Sequence, residues 1–413
     1  MTITRRRLIA GTTGVAAAAV LGAGTARAGQ TGVPEWIRAN ARPVGDLRQL
    51  RRSIGGAQVV GLGEAVHGTA EITRLKLRVV RYLVEELGFR AIAFEDDWSV
   101  GTLLNDYVLT GRGDLRALVG QLSRESRTHE IGELFEYLRS YNATHHDKVR
   151  FAGAEYFATR QLSYDAIDAY VARRAPHRLA ELRRDLKPIT PHLTDIGAYI
   201  QWYRDDVQNK ELFIQRATAV HALVRDLPSN REQAVIEHHA RQIRSFYTAF
   251  SLPDEEIWAY RDARGAENVR WWQAFTRSKV IYWAASAHTI NAPNLWFSVG
   301  AGFKNVGTYL HEWYGDRYRS LGCTFDHGTA LGPVDLPPAA PDWFEYQLNA
   351  AASDQFTLDL RSPQPPAVRE WLHRTARTRG LPDVPGSYLT GDSLSTWFDV
   401  LLHTREVSPT HRY

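Results

Sequence analysis

The sequence predicts an α/β fold: a parallel-sheet core with helices on both sides and a large helical insertion. Three observations carry this. Residues 57–97 read as strand, helix, strand, which implies a parallel pair joined by a right-handed crossover. Short apolar runs recur at 149–156, 279–287 and 317–325. The long stretch between the first two of those runs keeps a 3.6-residue apolar period almost throughout.

Taken in order, "AQVVGLGEA" (57–65) is a short apolar run closed by glycines, as expected of a buried strand. "TAEITRLKLRVVRYLVEELGF" (69–89) places Ile72, Leu75, Val79, Leu83 and Leu87 at helical spacing. Glu71 in its first turn suits the helix dipole, and Gly88 stops it. "FRAIAFEDD" (89–97) is a second strand, "VRFAGAEY" (149–156) a third and "KVIYWAASA" (279–287) a fourth. "RYRSLGCTF" (317–325) is a fifth, after a helix over 303–314. The helical stretch is punctuated by Pro188, Pro191 and Pro228. After residue 330 the chain is first Pro-rich, then offers a strand at "FTLDL" and a helix over 367–377.

The N-terminus reads differently. Arg5 and Arg6 precede a weakly apolar stretch and then Ala26-Arg27-Ala28, the pattern of a twin-arginine export signal with a small-residue cleavage site. The expected divisions are therefore 1–28 (export signal), 29–160 with 277–413 (α/β core) and 161–276 (helical insertion), and the expected location is extracytoplasmic. The signal holds four of the 50 basic residues and no acid. Without it, 46 basic residues face 46 acidic ones. That neutral balance gives no electrostatic case for nucleic acid or an anionic membrane surface. The single cysteine, Cys323, excludes an intramolecular disulfide and a Cys-based zinc site.

In open α/β sheets ligands sit at the carboxyl ends of the strands. Glu64, His67, Glu95, Glu155 and His288 all fall at such predicted ends. His67 lies in a Gly-flanked turn, and Glu64 shares its mouth. A carboxylate beside an imidazole raises its basicity and fixes its tautomer, as a general base requires. The plainer alternative is a turn histidine that hydrogen-bonds its own loop. Glu95, on the adjacent strand end, would pair a cation, hold a metal, split acid and base roles with Glu64, or simply cap a helix. Lys76, on the first helix, would neutralise one of these acids or face solvent.

Other patterns carry less. Glu237, His238 and His239 are adjacent on a helix and point to different faces, whereas metal ligands prefer i, i+3 or i, i+4 spacing. His145 and His146 sit in a loop. No G-x-S-x-G elbow appears, and no Walker or dinucleotide-binding glycine pattern. No cofactor is expected. A divalent ion between the acids and histidines lacks a tight ligand spacing to support it.

"GLGEAVHGTAEITRLKLRVVRYLVEELGFRAIAFE" resembles the opening motif of the erythromycin esterase family. The similarity continues through "THEIGELFEYLRSYN", "VRFAGAEY", "RDARGAENVRWW", "KVIYWAASAHT" and "NVGTYLHEWYGDRYRSLGCTF". The resemblance implies an α/β core with helical additions and hydrolysis of macrolide lactones or other esters. It implies that His67 is the general base, that Glu64 and Glu95 line the cleft and support it, and that Lys76 falls where members carry a basic residue. His288 matches the second histidine of a family Trp-Ala-His-Asn-Ala-His stretch. Here Ala285 replaces the first histidine and Ser286 the asparagine, and Glu155 stands where aspartate is common. If the missing histidine stabilises charge on the ester oxygen, its loss costs on the order of 3 kcal/mol.

The expected function is then an exported hydrolase cleaving an ester or lactone. Water is activated by His67, and His288 with Lys76 or Arg261 meets the developing charge. The expected partner is a small molecule, macrolide-like or another polyketide. Two alternatives stay open: a non-hydrolytic cyclase or rearrangement enzyme, and a binder of a hydrophobic small molecule.

Overall fold

A computed structural model describes residues 32–413 except 158, 333, 382, 383 and 385. The expected export signal, 1–28, lies outside the described residues.

Six strands run parallel, in the spatial order Val400–Val407, Tyr318–Ala330, Val59–Glu64, Lys279–Ala285, Phe89–Asp97, Arg150–Glu155. Gln355–Asp359 adds an antiparallel edge beyond Val400–Val407, and Arg42–Pro43 pairs outside that. Val334–Leu336 also pairs antiparallel with the end of Tyr318–Ala330, so the sheet is mixed there as well as at this margin. The Val59–Glu64 strand is buried on both faces, as its unbroken apolar run requires.

Helix Ala70–Leu87 uses the predicted stripe. Ile72, Leu75, Val79 and Leu83 are buried against Val60, Leu62 and Phe94 on one face of the sheet. Helix Val306–Tyr314 packs Val306 and Leu310 against Val59, Val280 and Tyr282 on the other face. The adjacent strands Val59–Glu64 and Lys279–Ala285 therefore send the chain over opposite faces and in opposite directions along the sheet. Each connection passes over the other's strand, and Lys279–Ala285 lies between the two strands that the sequence paired, but the connections run on opposite faces, so a crevice opens between them at the carboxyl ends.

Six helices follow the Arg150–Glu155 strand: Gln161–Arg174, Leu179–Leu186, Ile196–Asp205, Lys210–Arg225, Arg231–Ala249 and Asp254–Thr276. They build an apolar cluster of their own, rich in tyrosine. The buried hydroxyls of Tyr164 and Tyr199 both meet that of Tyr247, at 3.1 and 2.9 Å, so the polar tips are satisfied inside the cluster. Asp254–Thr276, the last of the six, runs back onto the sheet and carries Arg261 and Asp262 to it.

The segment after residue 330 also positions the site. It completes the sheet, and its two ends strap down the turn that holds His67. The Gly68 carbonyl accepts from Leu331 N (2.9 Å) and Thr410 N (3.0 Å), and Ala70 N donates to the Ser408 carbonyl (2.8 Å). Gly68 has φ +76°, and a Cβ there would meet Leu331 Cβ at 2.7 Å, so glycine is required.

A second close approach sets the far strand end. Helix Trp98–Thr110 lays Gly101 directly on the backbone of Gly153, and a Cβ at 101 would lie 2.1 Å from Gly153 N. Gly101→Ala is expected to push this helix off the strand bearing Glu155 and lower stability by about 1–3 kcal/mol. A urea titration reads this as a lower midpoint with an unchanged slope; an unmoved midpoint would show that the approach has slack.

Candidate active site

Glu64 is the last residue of its strand, and its two oxygens are both engaged. Oε1 accepts from His67 Nδ1 at 2.5 Å and Oε2 from Lys76 Nζ at 2.7 Å. Burial opposes the Glu64 charge, but Lys76 and His67 outweigh it and hold the carboxyl below its ordinary pKa. Lys76 is wholly buried rather than solvent-facing. Its ammonium also donates to the Ala284 carbonyl (3.2 Å) and sits 4.3 Å above the Trp283 ring. Burial lowers the Lys76 pKa, with Glu64 pulling the other way.

His67 keeps 39% of its side chain exposed. Its Nδ1 is bound to Glu64, so Nε2 is the nitrogen left for chemistry, with Glu95 Oε2 3.8 Å away. Partial burial disfavours the charged ring. The Glu64 hydrogen bond and the Glu95 charge oppose burial more strongly, and the pKa rises to about 9.

Glu95 is anchored from two sides. Arg261 donates to Oε1 at 2.6 Å, and the Ala285 backbone N–H donates to Oε2 at 2.6 Å. Burial would raise its pKa, but His288, Arg261 and His67 hold it far below the carboxylate range. Position 285, where the family resemblance leads one to expect a histidine, thus contributes its amide.

His288 falls in a one-turn helix, Ser286–Thr289, just past its strand. Its Nδ1 donates to Asp262 Oδ1 at 2.8 Å, and Arg261 donates to its Nε2 at 2.8 Å. Asp262 Oδ1 also accepts from Val306 N at 3.0 Å. Arg261 reaches Glu155 as well, at 3.1 Å. Burial, only partly countered by Arg261, pushes the Glu155 carboxyl up to about 7.

Sequence reasoning placed seven residues here, and all seven meet in one contiguous network. They do not all face the ligand space. A cleft of ≈350 Å³, open mouth included, is lined by Glu64, His67, Glu95, Phe94 and Trp283 on the sheet side and Glu125, Ser126 and Thr128 opposite. Lys76 and Glu155 lie behind the two front carboxylates, and Arg261 and His288, about as buried as those carboxylates, turn toward them and away from the cleft wall. The expected contact of Lys76, Arg261 and His288 with the developing charge is therefore not what this arrangement provides. Their hydrogen bonds are directed at Glu64, Glu95, Glu155 and Asp262.

Asp262 was missed. Its signal was its place beside Arg261 in "RDARGAEN", on a helix whose neighbouring Gly265 and Ala266 are small and buried. Glu125, Ser126 and Thr128 carried no signal, since a loop wall has no periodicity. The weaker histidines are structural. His238 stacks on Trp271 at 3.9 Å, His239 accepts from Trp98 Nε1 at 3.1 Å, and His145 stacks on Tyr141 at 3.9 Å. Among the described residues no group of three or more His, Cys, Asp or Glu is arranged to hold a metal ion.

Comparison with known proteins agrees with this architecture. The family model described as erythromycin esterase matches residues 84–407. Erythromycin esterase type II of Escherichia coli is 26% identical over 317 residues, covering 70% of this chain and 74% of that protein. A crystal structure of a Bacillus cereus protein superposes with a TM-score of 0.81 at 28% identity, covering 92% of this chain and 98% of the other. An erythromycin esterase mutant solved in its open conformation shares the fold, with a TM-score of 0.67 at 19% identity over 88% and 94% of the two chains. The chain belongs to the erythromycin esterase family.

Proposed function

We propose that this protein hydrolyses a carboxylic ester or lactone with water activated at His67. Family membership supports a hydrolase-like function. The observation that carries the finer reading is the His67 ring: Nδ1 is fixed by Glu64, while the ring stays half-exposed at the cleft with Nε2 uncommitted.

As a water oxygen bonds to the carbonyl carbon, Nε2 takes its proton and the carbonyl π pair moves to oxygen. Collapse of the tetrahedral species breaks the ester C–O bond, and the alkoxide takes the proton back from Nε2. The products are acid and alcohol. Glu64 stabilises the imidazolium formed in the first step, and Glu95 adds a second negative charge 3.8 Å from Nε2. Lys76 and Arg261 keep those two carboxylates ionised and in place. No serine nucleophile and no covalent intermediate enter.

The pH dependence follows from the raised His67 pKa. The base must be neutral, and two units below a pKa of about 9 only about one ring in a hundred is so. The value of kcat/KM is expected to climb tenfold per pH unit from neutrality and level off above about 9. Stability runs the other way. The stabilisation that the charged ring contributes is complete below its ordinary pKa of 6.5 and fades as pH rises through about 9. Acid release from a panel of esters and lactones, followed from about pH 6 to about pH 10, tests the first statement, and chemical denaturation over the same range tests the second. No release at any pH overturns the hydrolase reading; a profile that falls with pH overturns the assignment of His67 as base.

A further inference from the structure

The ≈350 Å³ of the cleft includes its open mouth, so most of a large ester would lie outside it. The adjoining surface is unusual. Of the eight large apolar side chains that are exposed among the described residues, five are Trp258, Trp296, Val299, Leu381 and Val384. All but Trp258 belong to a small four-stranded sheet made of Trp296–Phe297, Ala301–Gly302, Thr378–Arg379 and Tyr388–Thr390, or to its hairpin tips.

The aromatic rings there are ordered. Trp258 and Phe303 lie 6.2 Å apart at 17°, and Phe303 and Phe297 lie 5.6 Å apart at 19°. This is a staircase of nearly parallel rings, and its outer step, Trp258, is 40% exposed. The staircase joins the active-site network at two points. The Arg261 guanidinium sits 5.5 Å from the Trp258 ring and 4.7 Å from Phe157, and the His288 ring is 6.3 Å from Phe303.

We propose that Trp258, Phe303 and Phe297 form a stacking shelf that binds an uncharged, ring-bearing portion of the substrate beside the His67 cleft. A flat ring on Trp258 continues the stack and covers its exposed indole. The charge requirement comes from the surroundings. Glu64, Glu95 and Glu125 line the cleft and disfavour an anion, and Arg261 is already committed to Glu95, Glu155 and His288. The shelf deepens the hydrolase reading by naming a substrate class, and it rests on that reading for the ester bond alone.

Two measurements separate the two ideas. The first is calorimetric binding of 2-acetylnaphthalene, a ring-bearing ketone with no ester to cleave. Trp258→Ala is expected to raise its Kd about tenfold, Trp258→Phe to restore most of the affinity, and Tyr346→Ala, an exposed aromatic elsewhere, to match wild type. The second is the ratio of kcat/KM for 2-naphthyl acetate to that for ethyl acetate. It is expected to fall about tenfold in Trp258→Ala, through KM rather than kcat. Wild type that fails to bind the ketone, or Trp258→Ala that binds it as well as wild type, overturns the shelf. If no ester is cleaved by wild type while ketone binding still depends on Trp258, the shelf stands and the hydrolase reading falls.

Discussion

Replacing His67 with alanine is expected to lower ester hydrolysis by about 10²–10⁴-fold at alkaline pH, where the ring is neutral, while leaving the melting temperature at that pH nearly unchanged. The two halves of this expectation come from different contacts. The ring is the only group on the cleft wall with a basic nitrogen free of a hydrogen-bond partner among the residues described, since the Nε2 of His288 is occupied by Arg261. No neighbour stands ready to take its place. Stability is insulated because Glu64, the group His67 would leave behind, keeps its bond from Lys76 at 2.7 Å. The ring itself is 39% exposed, so its removal opens little buried volume. Acid release followed by mass spectrometry reads the first half, and a thermal melt the second. Hydrolysis within about twofold of wild type, in a variant that folds, would remove His67 from the reaction. A protein that merely sequesters its ligand would show the same ligand affinity in both forms.

How the site came to be legible in the sequence depends on which physical signal each residue leaves. Glu64, His67 and Glu95 stood out because a carboxylate or imidazole at the end of an apolar run contradicts burial, and strands of this kind end at a crevice. Lys76 was a harder case. It sits on the same stripe as Ile72, Val79 and Val80, four residues from the first and three and four from the others. That spacing does predict a buried face, yet a lysine there is ordinarily assigned to solvent because burial needs a partner. The partner is Glu64, twelve residues earlier, and only the strand–helix geometry brings them together. Asp262 was hidden for a related reason. Its value lies in contacts with His288 and Val306, both remote in sequence.

Two parts of the fold left weaker traces. The Val400–Val407 strand carries His403, Thr404 and Arg405 within it, which breaks the apolar run that marks buried parallel strands. Its place is set by register with Tyr318–Ala330. The strands of the four-stranded sheet are two or three residues long, too short for any alternation to register. The departure at Ala285 has a physical reading that sequence could not supply. The bond that anchors Glu95 comes from the amide of this residue, and any amino acid but proline would make it. The exchange of side chain at 285 therefore leaves the carboxylate beside His67 in position, and its consequence is confined to whatever the absent imidazole would have touched.

The largest stability effect is expected from Lys76→Met. Methionine fills the same stem volume but removes a charge buried at 0% side-chain exposure, and it leaves Glu64 buried with only the His67 contact. Breaking a buried pair in this way costs about 3–5 kcal/mol, and the His67 bond places this case near the lower figure. Chemical denaturation at neutral pH reads it directly; a loss under about 1 kcal/mol would mean that the pair is worth no more than a surface bridge. The companion double variant, Lys76→Met with Glu64→Gln, removes both charges and is expected to recover most of that stability, because no unpaired ion remains. Activity is expected to behave otherwise. Without the Glu64 charge the imidazolium formed during water attack is less stabilised, so the plateau rate drops. The limb of the rate profile also moves from about 9 toward the ordinary histidine value of 6.5, because the Glu64 hydrogen bond is the largest of the influences that raise the His67 pKa. A double variant that regains stability and rate together would mean that Glu64 serves the fold alone. Stability regained with a lowered plateau and a shifted limb assigns the same carboxylate two separable duties, compensating a buried ammonium on one oxygen and steering the base on the other.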